Sequence, residues 1–173
     1  FRLPSPRQDK IIGILGPNGI GKSTAINLLS GSFRPNLGDW QQPPPDWEEI
    51  ISTFPRGELR DYLSLVSEGQ ISIAVKPQYI DKLPQIFDGK VKDLLERVDD
   101  RGELENLSEL MALGHIIERK LGELSGGELQ RVAICATLLK EADVYFFDEP
   151  SSYLDIYERM RMVGIVRSLA EKG

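Results

Sequence analysis

The sequence predicts an α/β fold with a mainly parallel sheet, and three observations support this prediction. A glycine-rich stretch, GPNGIGKST at residues 16–24, stands between an apolar run and a helical run. A second apolar run, ADVYFF at residues 142–147, has the character of the buried strands found in parallel sheets. Amphipathic helical segments lie between these two runs, and the alternation of strands with helices is typical of α/β architecture.

Length and composition are those of one globular domain. The chain has 173 residues, of which 40% are hydrophobic and 28% charged, and this length is sufficient to bury a core. The net charge of −6 argues against binding nucleic acid by bulk electrostatics, so any such contact is expected to be local. The single cysteine, Cys135, cannot form an internal disulfide, and we expect no zinc or iron–sulfur centre.

The sequence has neither the pattern of a membrane span nor that of an export signal. No apolar run approaches about 18 residues, and the first residues, which include Pro4 and Pro6, lack the pattern of a signal peptide. We therefore expect a cytoplasmic protein without a membrane partner.

The glycine-rich stretch lies between a predicted strand and a predicted helix. The run IIGIL at residues 11–15 is apolar, and AINLL at residues 25–29 continues as a helix that Gly31 can end. A glycine, four residues and then Gly-Lys-Ser form the Walker A pattern, which is meaningful in this strand–loop–helix context. The alternative is a glycine-rich turn that only resembles a phosphate cradle, and the flanking elements favour phosphate binding.

The chemistry of phosphate binding explains these residue types. Glycines allow backbone N–H groups to turn toward the phosphates, and the helix N-terminus adds its partial positive charge. Lys22 can reach the β- and γ-phosphates, and Ser23 can ligate Mg²⁺.

A helical hairpin is predicted as an insert over residues 43–69. Pro35, Gly38 and three consecutive prolines at 43–45 prevent the segment 32–45 from being helical. Asp46 then caps a short helix that extends to residue 53, and Pro55 and Gly57 separate it from a second helix over residues 58–66.

A strand over residues 71–75 is predicted next, followed by the loop KPQYID at 76–81, which contains Gln78. Helices are predicted over residues 89–98 and 103–113 within a helical subdomain at 81–124. The single histidine, His115, stands just past a helix end, where a cation complements the helix dipole, and no catalytic role is predicted for it.

The stretch LSGGELQR at residues 124–131 predicts an unusual helix start. Ser125 and Glu128 have the spacing of a capping box. Capping does not explain Gly126 and Gly127 in the first helical turn, because each glycine costs about 1 kcal/mol relative to alanine there. We interpret the missing side chains as room for an anion that approaches the backbone.

The predicted strand at 142–147 ends in two carboxylates, Asp148 and Glu149. Burying both would be costly, so they should face a cation or a polar site. With a Walker A loop present, Asp148 is expected in the shell of Mg²⁺ and Glu149 opposite the attacking water.

A turn at residues 151–155 leads into the last predicted helix. That helix is expected to bury one apolar face, formed by Ile156, Met160, Val163, Val166 and Leu169.

Taken together, these motifs occur in the order of an ABC-type ATPase domain. The chain resembles the first nucleotide-binding domain of the RNase L inhibitor family, the ribosome-recycling ATPases of archaea and eukaryotes. The segments GPNGIGKST, PPPDWEEI, KPQYID, LSGGELQRVA and FFDEPSSYLD are similar to that family nearly verbatim, and the similarity extends over almost the whole chain.

The resemblance implies a P-loop NTPase core, RecA-like and of ABC type, with ATP and Mg²⁺ as cofactors. Mg²⁺ would be held by Ser23, Gln78 and, through water, Asp148. Glu149 would polarise the hydrolytic water, with Gln78 and Lys22 assisting catalysis. The phosphates would be held by Gly16, Pro17, Asn18, Gly19, Ile20, Gly21, Lys22, Ser23 and Thr24.

The resemblance also implies partners. Ser125, Gly126, Gly127 and Glu128 would close on the γ-phosphate of ATP held by a second ABC domain, and Asp155 would link the two sites. The second domain belongs to the same polypeptide in this family, and ATP-driven closure splits ribosomes into subunits. The hairpin at 43–69 would lie against the small ribosomal subunit, and termination or rescue factors would assist.

The chain departs from the full family pattern. It lacks an N-terminal iron–sulfur domain, a second ATPase domain, and the strand and histidine that complete an ABC site. The adenine-stacking aromatic is missing or is Phe1. We therefore expect one ABC domain truncated at both ends, with its core at 1–42, 70–80 and 125–173, which hydrolyses ATP poorly alone.

Two other functions share these motifs. The ATPase subunit of a membrane transporter is disfavoured by the hairpin, by Glu128 where glutamine is usual, and by Tyr153. A non-catalytic scaffold or nuclease inhibitor is disfavoured by Glu149, because a scaffold does not require a carboxylate facing water.

Overall fold

The computed structural model describes residues 3–7, 9–39 and 41–172, so Phe1, the candidate adenine-stacking residue, lies outside the described residues. The chain divides into two compact units. Residues 1–73 form the N-terminal unit and residues 74–173 the C-terminal unit, and each is described by itself.

The described part of the N-terminal unit contains three helices: α1 (Lys22–Leu29), α2 (Trp47–Ser52) and α3 (Glu58–Ser67). The predicted hairpin is confirmed, because α2 and α3 pack against each other. Asp46 caps α2 as expected, and its Oδ1 accepts a hydrogen bond of 2.8 Å from the Glu49 N–H. Gly57 precedes α3 with φ 148°, a conformation that favours glycine.

Helix α3 is fastened to the end of α1. The hydroxyl of the buried Tyr62 donates a 2.8 Å hydrogen bond to the Leu29 carbonyl, which satisfies one of the carbonyls left unpaired at a helix C-terminus. Gly31, with φ 72°, ends the helix, and a Cβ there would lie 2.8 Å from Cγ1 of Val66. Gly31 therefore serves both the turn and the close packing of α3.

The prediction of a strand at residues 11–15 is wrong for this structure, which has no strand in that segment. The side chains of Ile11, Ile12 and Leu15 are 55%, 44% and 95% exposed. A strand exists only through hydrogen bonds to a neighbouring strand, and an apolar composition alone does not supply that neighbour.

A small parallel sheet pairs β1 (Ile73–Lys76) with β2 (Val144–Phe147). All of this sheet except Ile73 lies in the C-terminal unit. Two short 3₁₀ turns, Ile80–Lys82 and Leu121–Glu123, accompany the helices of this unit. These helices are α4 (Leu83–Ile86), α5 (Val91–Val98), α6 (Leu104–Leu110), α7 (Gly126–Leu138) and α8 (Ile156–Lys172).

Helix α7 is the centre of the core of this unit. From Leu129 to Leu138 only Ala136 is not buried. The helix packs against α5, α6 and β2. Residues on nearly all sides of the helix are therefore buried.

Both strands differ in detail from the prediction. The strand β1 begins at Ile73 and extends to Lys76, two residues later at its start than the predicted 71–75. The strand β2 begins at Val144, and its residues are half-buried, not fully buried as expected. Among the described residues the sheet has two strands, so neither strand is enclosed by neighbours on both sides.

The apolar face predicted for α8 is wrong for three of its five residues. Ile156, Met160 and Val163 are 64%, 68% and 42% exposed, whereas Met162 and Ile165 are buried. The predicted Val166 and Leu169 do pack partly against the core. Apolar residues occur almost all round this helix, so the sequence period does not define one face, and tertiary packing selects it.

We expect the Asp46→Ala substitution to lower the free energy of unfolding by about 1 kcal/mol, because it removes the acceptor for the Glu49 N–H. Chemical denaturation of the purified chain measures this loss. Asp46→Asn is the matched control and should retain most of the stability, since asparagine caps as well as aspartate. Equal losses in both variants would contradict the capping role.

Candidate functional site

The glycine-rich loop lies in the N-terminal unit and leads directly into α1. Gly19 and Gly21 have φ 82° and 94°, and Gly21 is the residue that precedes the helix. A Cβ at either position would have no neighbour within 4 Å. The glycines are therefore required for backbone conformation and not for space.

Lys22 folds back over this loop. Its Nζ donates hydrogen bonds of 2.8 Å to the Gly16 carbonyl and 3.0 Å to the Pro17 carbonyl. The ammonium group is thereby held against the loop backbone, where it places a positive charge beside the N-terminus of α1.

The start of α1 is suited to a phosphate. Gly21 provides no side-chain cap, and the first turn contains no acidic residue. The first N–H groups of a helix have no partner within the helix and carry a partial positive charge. Ser23, the second residue of α1, stands where its hydroxyl could reach a metal bound to that phosphate.

The acidic strand end lies in the C-terminal unit, directly after β2. Asp148 is buried, and Glu149 is half-buried. The Asp148 N–H donates to the Lys76 carbonyl at 3.1 Å, and this bond extends the pairing of β1 with β2. Gln78 follows β1 by two residues and is half-buried. Because β1 and β2 are parallel neighbours, Gln78 and the two carboxylates follow the same edge of the sheet.

The side chains of Gln78 and Asp148 are suited to a Mg²⁺ ion that also binds the phosphates of a substrate. The described residues contain no cluster of three or more His, Cys, Asp or Glu side chains that could hold a metal. Mg²⁺ does not require such a cage, because it usually binds through one or two carboxylates, waters and the substrate phosphates. Asp148 and Gln78, both in the C-terminal unit, carry oxygen ligands of the kind that Mg²⁺ prefers.

Two residues that the sequence analysis missed hold the acidic strand end. Lys76 is fully buried, and its Nζ donates a 2.9 Å hydrogen bond to the Asp148 carbonyl. Burial lowers the pKa of Lys76 to about 8, although the carboxylates of Asp148 and Glu149 act to raise it. The signal available in the sequence was a lysine at the end of an apolar strand, where a charge must have a partner.

The second missed residue is Gln130 on α7. Its Nε2 donates to the Glu149 carbonyl at 3.1 Å and to the Pro150 carbonyl at 2.9 Å. Glu149 itself has φ 46°, a left-handed conformation that is uncommon for residues other than glycine. The Ser152 hydroxyl donates to Oε2 of Glu149 at 3.3 Å.

The capping box predicted at the start of α7 is confirmed. Oε2 of Glu128 accepts hydrogen bonds from the Ser125 N–H at 2.8 Å and from the Ser125 hydroxyl at 2.7 Å. Oε1 of Glu128 lies 3.4 Å from Nη1 of Arg119 and 3.5 Å from Nε2 of His115. The Ser125 hydrogen bonds, then Arg119 and His115, hold the pKa of Glu128 below its usual value. His115 therefore belongs to this charged cluster.

The structure supplies an intramolecular reason for the two glycines of this helix start. A Cβ at Gly126 would lie 3.0 Å from Cδ1 of Tyr153, and one at Gly127 would lie 3.0 Å from the Tyr153 carbonyl. The turn at 151–155 thus occupies the space that we had assigned to an anion alone. Ser125 and Gly126 remain exposed.

Asp155 ends this turn and caps α8. Its Oδ1 accepts a 2.8 Å hydrogen bond from the Glu158 N–H, and its own N–H donates to Oε2 of Glu158 at 3.2 Å. The residue expected to link two ATP sites therefore also has a local structural role.

In this loop a lysine hydrogen-bonds to the backbone of a glycine-rich segment, and a helix begins directly after the last glycine. This arrangement is that of a P-loop nucleotide-binding domain. Comparison with known proteins narrows this class, because residues 5–152 match the ABC transporter family, and the chain therefore belongs to that family. The part of the chain that the structure describes has no helix long and apolar enough to cross a membrane.

Within that family the chain is similar to the RNase L inhibitor group. It is 46% identical to ABC transporter E family member 1 of Arabidopsis thaliana and 43% identical to translation initiation factor RLI1 of Saccharomyces cerevisiae. Each alignment covers 97% of this chain and 28% of the relative. An archaeal ribosome recycling factor, in a crystal structure with ribosomal stalk protein aP1, has a TM-score of 0.94 and 44% identity, covering 100% of this chain and 33% of that one.

The charged cluster predicts a pH dependence. Because the folded-state pKa of Glu128 is lowered, its contribution to stability is present above the unfolded value and disappears as the pH falls through the folded value. We expect Glu128→Gln to lower the free energy of unfolding by about 0.3–1 kcal/mol at pH 7, and the difference from wild type to shrink as the pH falls below 4.5, the value of an unperturbed glutamate.

Denaturation curves at pH 7 and at acid pH test this expectation. Glu141→Gln is the control, since Glu141 is exposed and lies outside the helices, and it should lack this pH-dependent difference. A Glu128→Gln effect that stays constant with pH would show that its charge does not stabilise the helix start.

Proposed function

We propose that this chain is an ATP-binding and ATP-hydrolysing ABC domain of a ribosome-recycling factor. The observation that carries the proposal is the loop at residues 16–24, where Lys22 lies over the loop carbonyls and the first N–H groups of α1 are uncapped. An anion of the charge and size of a triphosphate complements this arrangement. The similarity to recycling and initiation factors supports the more specific assignment.

In this proposal each part of the chain has a defined task. The N–H groups of the loop and Lys22 bind the phosphates, and Ser23, Gln78 and Asp148 hold Mg²⁺. Bound Mg²⁺ would neutralise the charge that develops on the phosphates. Glu149 orients the attacking water and accepts its proton, and its half-buried position at the end of β2 limits the solvent around that carboxylate.

We further propose that a second ABC domain of the same polypeptide completes the site. The relatives are more than three times as long as the part that this chain matches, which leaves room for such a domain. Ser125 and Gly126 are exposed at the start of α7, where they could meet the γ-phosphate of ATP bound to that domain. Contacts made only in the closed state would drive closure when ATP binds.

The hairpin of α2 and α3 is the proposed contact with the small ribosomal subunit. It presents Arg56 on the exposed connection between the helices and Arg60 on α3. Arg56 and Arg60 offer two cationic side chains for contacts with the phosphates of ribosomal RNA. Because Glu58 and Asp61 stand in the same stretch, we propose that such a contact depends on local geometry and not on bulk charge. Termination or rescue factors are proposed to assist, and this task would place the protein in the cytoplasm.

Changing Glu149 to Gln tests the catalytic assignment. In the protein that carries both ABC domains, we expect the rate of hydrolysis at this site to fall by about 10²–10⁴-fold, whereas ATP binding persists because no phosphate contact is removed. Steady-state turnover and fluorescent-nucleotide binding measure the two quantities. Glu141→Gln, an exposed residue before β2, is the control, and unchanged turnover in Glu149→Gln would refute the role of Glu149.

Reversing the charges of Arg56 and Arg60 to Glu tests the hairpin. We expect affinity for small ribosomal subunits to fall by about tenfold, from the loss of two contacts of up to about 1 kcal/mol each, and nucleotide affinity to stay unchanged. Co-sedimentation and nucleotide titration measure these effects. The matched control reverses Lys92 and Arg97, which are exposed on α5. Equal loss of subunit binding in the control would exclude a specific hairpin contact.

A further inference from the structure

The C-terminal unit contains a buried positive charge that the proposed mechanism does not use. The side chain of Lys76 has no exposed surface, and lysines are almost never fully buried unless they are paired. It is the last residue of β1, and only Pro77 separates it from Gln78. A lysine at this position requires an explanation beyond packing, because an apolar residue would avoid the cost of burying its charge.

The contacts of Lys76 identify what it acts on. Its Nζ donates to the carbonyl of Asp148 at 2.9 Å, and its own carbonyl accepts from the Asp148 N–H at 3.1 Å. The lysine therefore binds both backbone groups of the residue that immediately precedes Glu149. Its charge also lies close enough to the carboxylates of Asp148 and Glu149 for both to interact with it electrostatically.

The backbone of Glu149 and Pro150, which follow Asp148, is also held by side-chain hydrogen bonds. Glu149 has φ 46°, and such conformations persist only where surrounding contacts enforce them. The fully buried Gln130 supplies those contacts, because its Nε2 donates to the carbonyls of both Glu149 and Pro150. Three consecutive carbonyls, 148–150, thus each accept a hydrogen bond from a side chain buried in the core.

We propose that Lys76 and Gln130 are positioning residues that fix the backbone at 148–150 and thereby aim the carboxylate of Glu149 at the attacking water. The proposal rests on the function proposed above and adds residues to it. Neither side chain touches the nucleotide in this account. Both act through the backbone of the strand end, as outer contacts do when they orient a metal ligand or a general base.

The lysine has an advantage over an uncharged donor. Asp148 and Glu149 are adjacent carboxylates, and their mutual repulsion favours their moving apart when no cation is present. The buried ammonium group interacts electrostatically with both carboxylates and hydrogen-bonds to the Asp148 carbonyl. It therefore offsets part of that repulsion and holds the strand end before nucleotide binds. The site is then organised in advance, which is the condition under which a positioned base is effective.

The test uses the two-domain protein and measures kcat and KM for ATP separately. The turnover that persists in Glu149→Gln defines the contribution of the other site and is subtracted. For Lys76→Met we expect kcat at this site to fall by about 10–100-fold with KM changed by less than about threefold, since uniform binding is unaffected. Lys76→Gln, which keeps a donor but not the charge, should recover part of kcat, and Gln130→Met should resemble Lys76→Met.

Loss of packing is separated from positioning by a control. Leu95→Ala removes a fully buried side chain of the same unit and should lower the melting temperature without lowering kcat in the folded protein. If Lys76→Met does not fold, Lys76→Gln and Gln130→Met are the deciding variants.

Three outcomes are distinguishable. A lower kcat with little change in KM in the Lys76 and Gln130 variants supports the proposal. Unchanged kcat in all of them, while Glu149→Gln inactivates the site, overturns it and leaves the proposed function intact. If Glu149→Gln also has no effect on turnover, then the proposed function fails.

Discussion

The hydrogen bond between the ammonium group of Lys76 and the carbonyl of Asp148 is the interaction on which the acidic site depends. It joins the ends of β1 and β2 across 72 residues of sequence, next to the segments that carry Gln78 and the two carboxylates. A sheet of two short strands has little stability by itself. The buried lysine and Gln130 add side-chain hydrogen bonds where the backbone pairing of the two strands ends.

The start of α7 depends on similar side-chain contacts. The carboxylate of Glu128 accepts hydrogen bonds from Ser125 in the capping box and forms an ion pair with Arg119. One side chain therefore stabilises both the helix start and the segment that precedes it. Tyr153 packs against Gly126 and Gly127, which connects this helix start with the turn that follows β2. The start of α7 and the turn that follows β2 therefore pack against each other.

The phosphate loop follows a different principle. Gly19 and Gly21 have open space around them, so the loop is shaped by backbone conformation and by the two hydrogen bonds of Lys22. The helix behind it is secured at its far end by Tyr62. The first N–H groups of α1 have no side-chain cap, and the other end of this helix is hydrogen-bonded to Tyr62. The loop can therefore bind an anion without a change in the position of the helix.

The sequence by itself determined the chemistry and the local structure. The α/β class, the phosphate loop, both helices of the hairpin and the capping box of α7 followed from short patterns, because each depends on residues only a few positions apart. The membership of the ABC family also followed from these motifs, and the comparison confirmed it.

Only the tertiary structure decided the features that depend on distant neighbours. The apolar run at 11–15 required a partner strand to become β-structure, and the buried face of α8 was selected by packing that no periodicity records. Lys76 and Gln130 escaped the sequence analysis for the same reason, since their partners lie 72 and about 20 residues away. A side chain acquires such a role only when folding brings a distant carbonyl within reach of its donor.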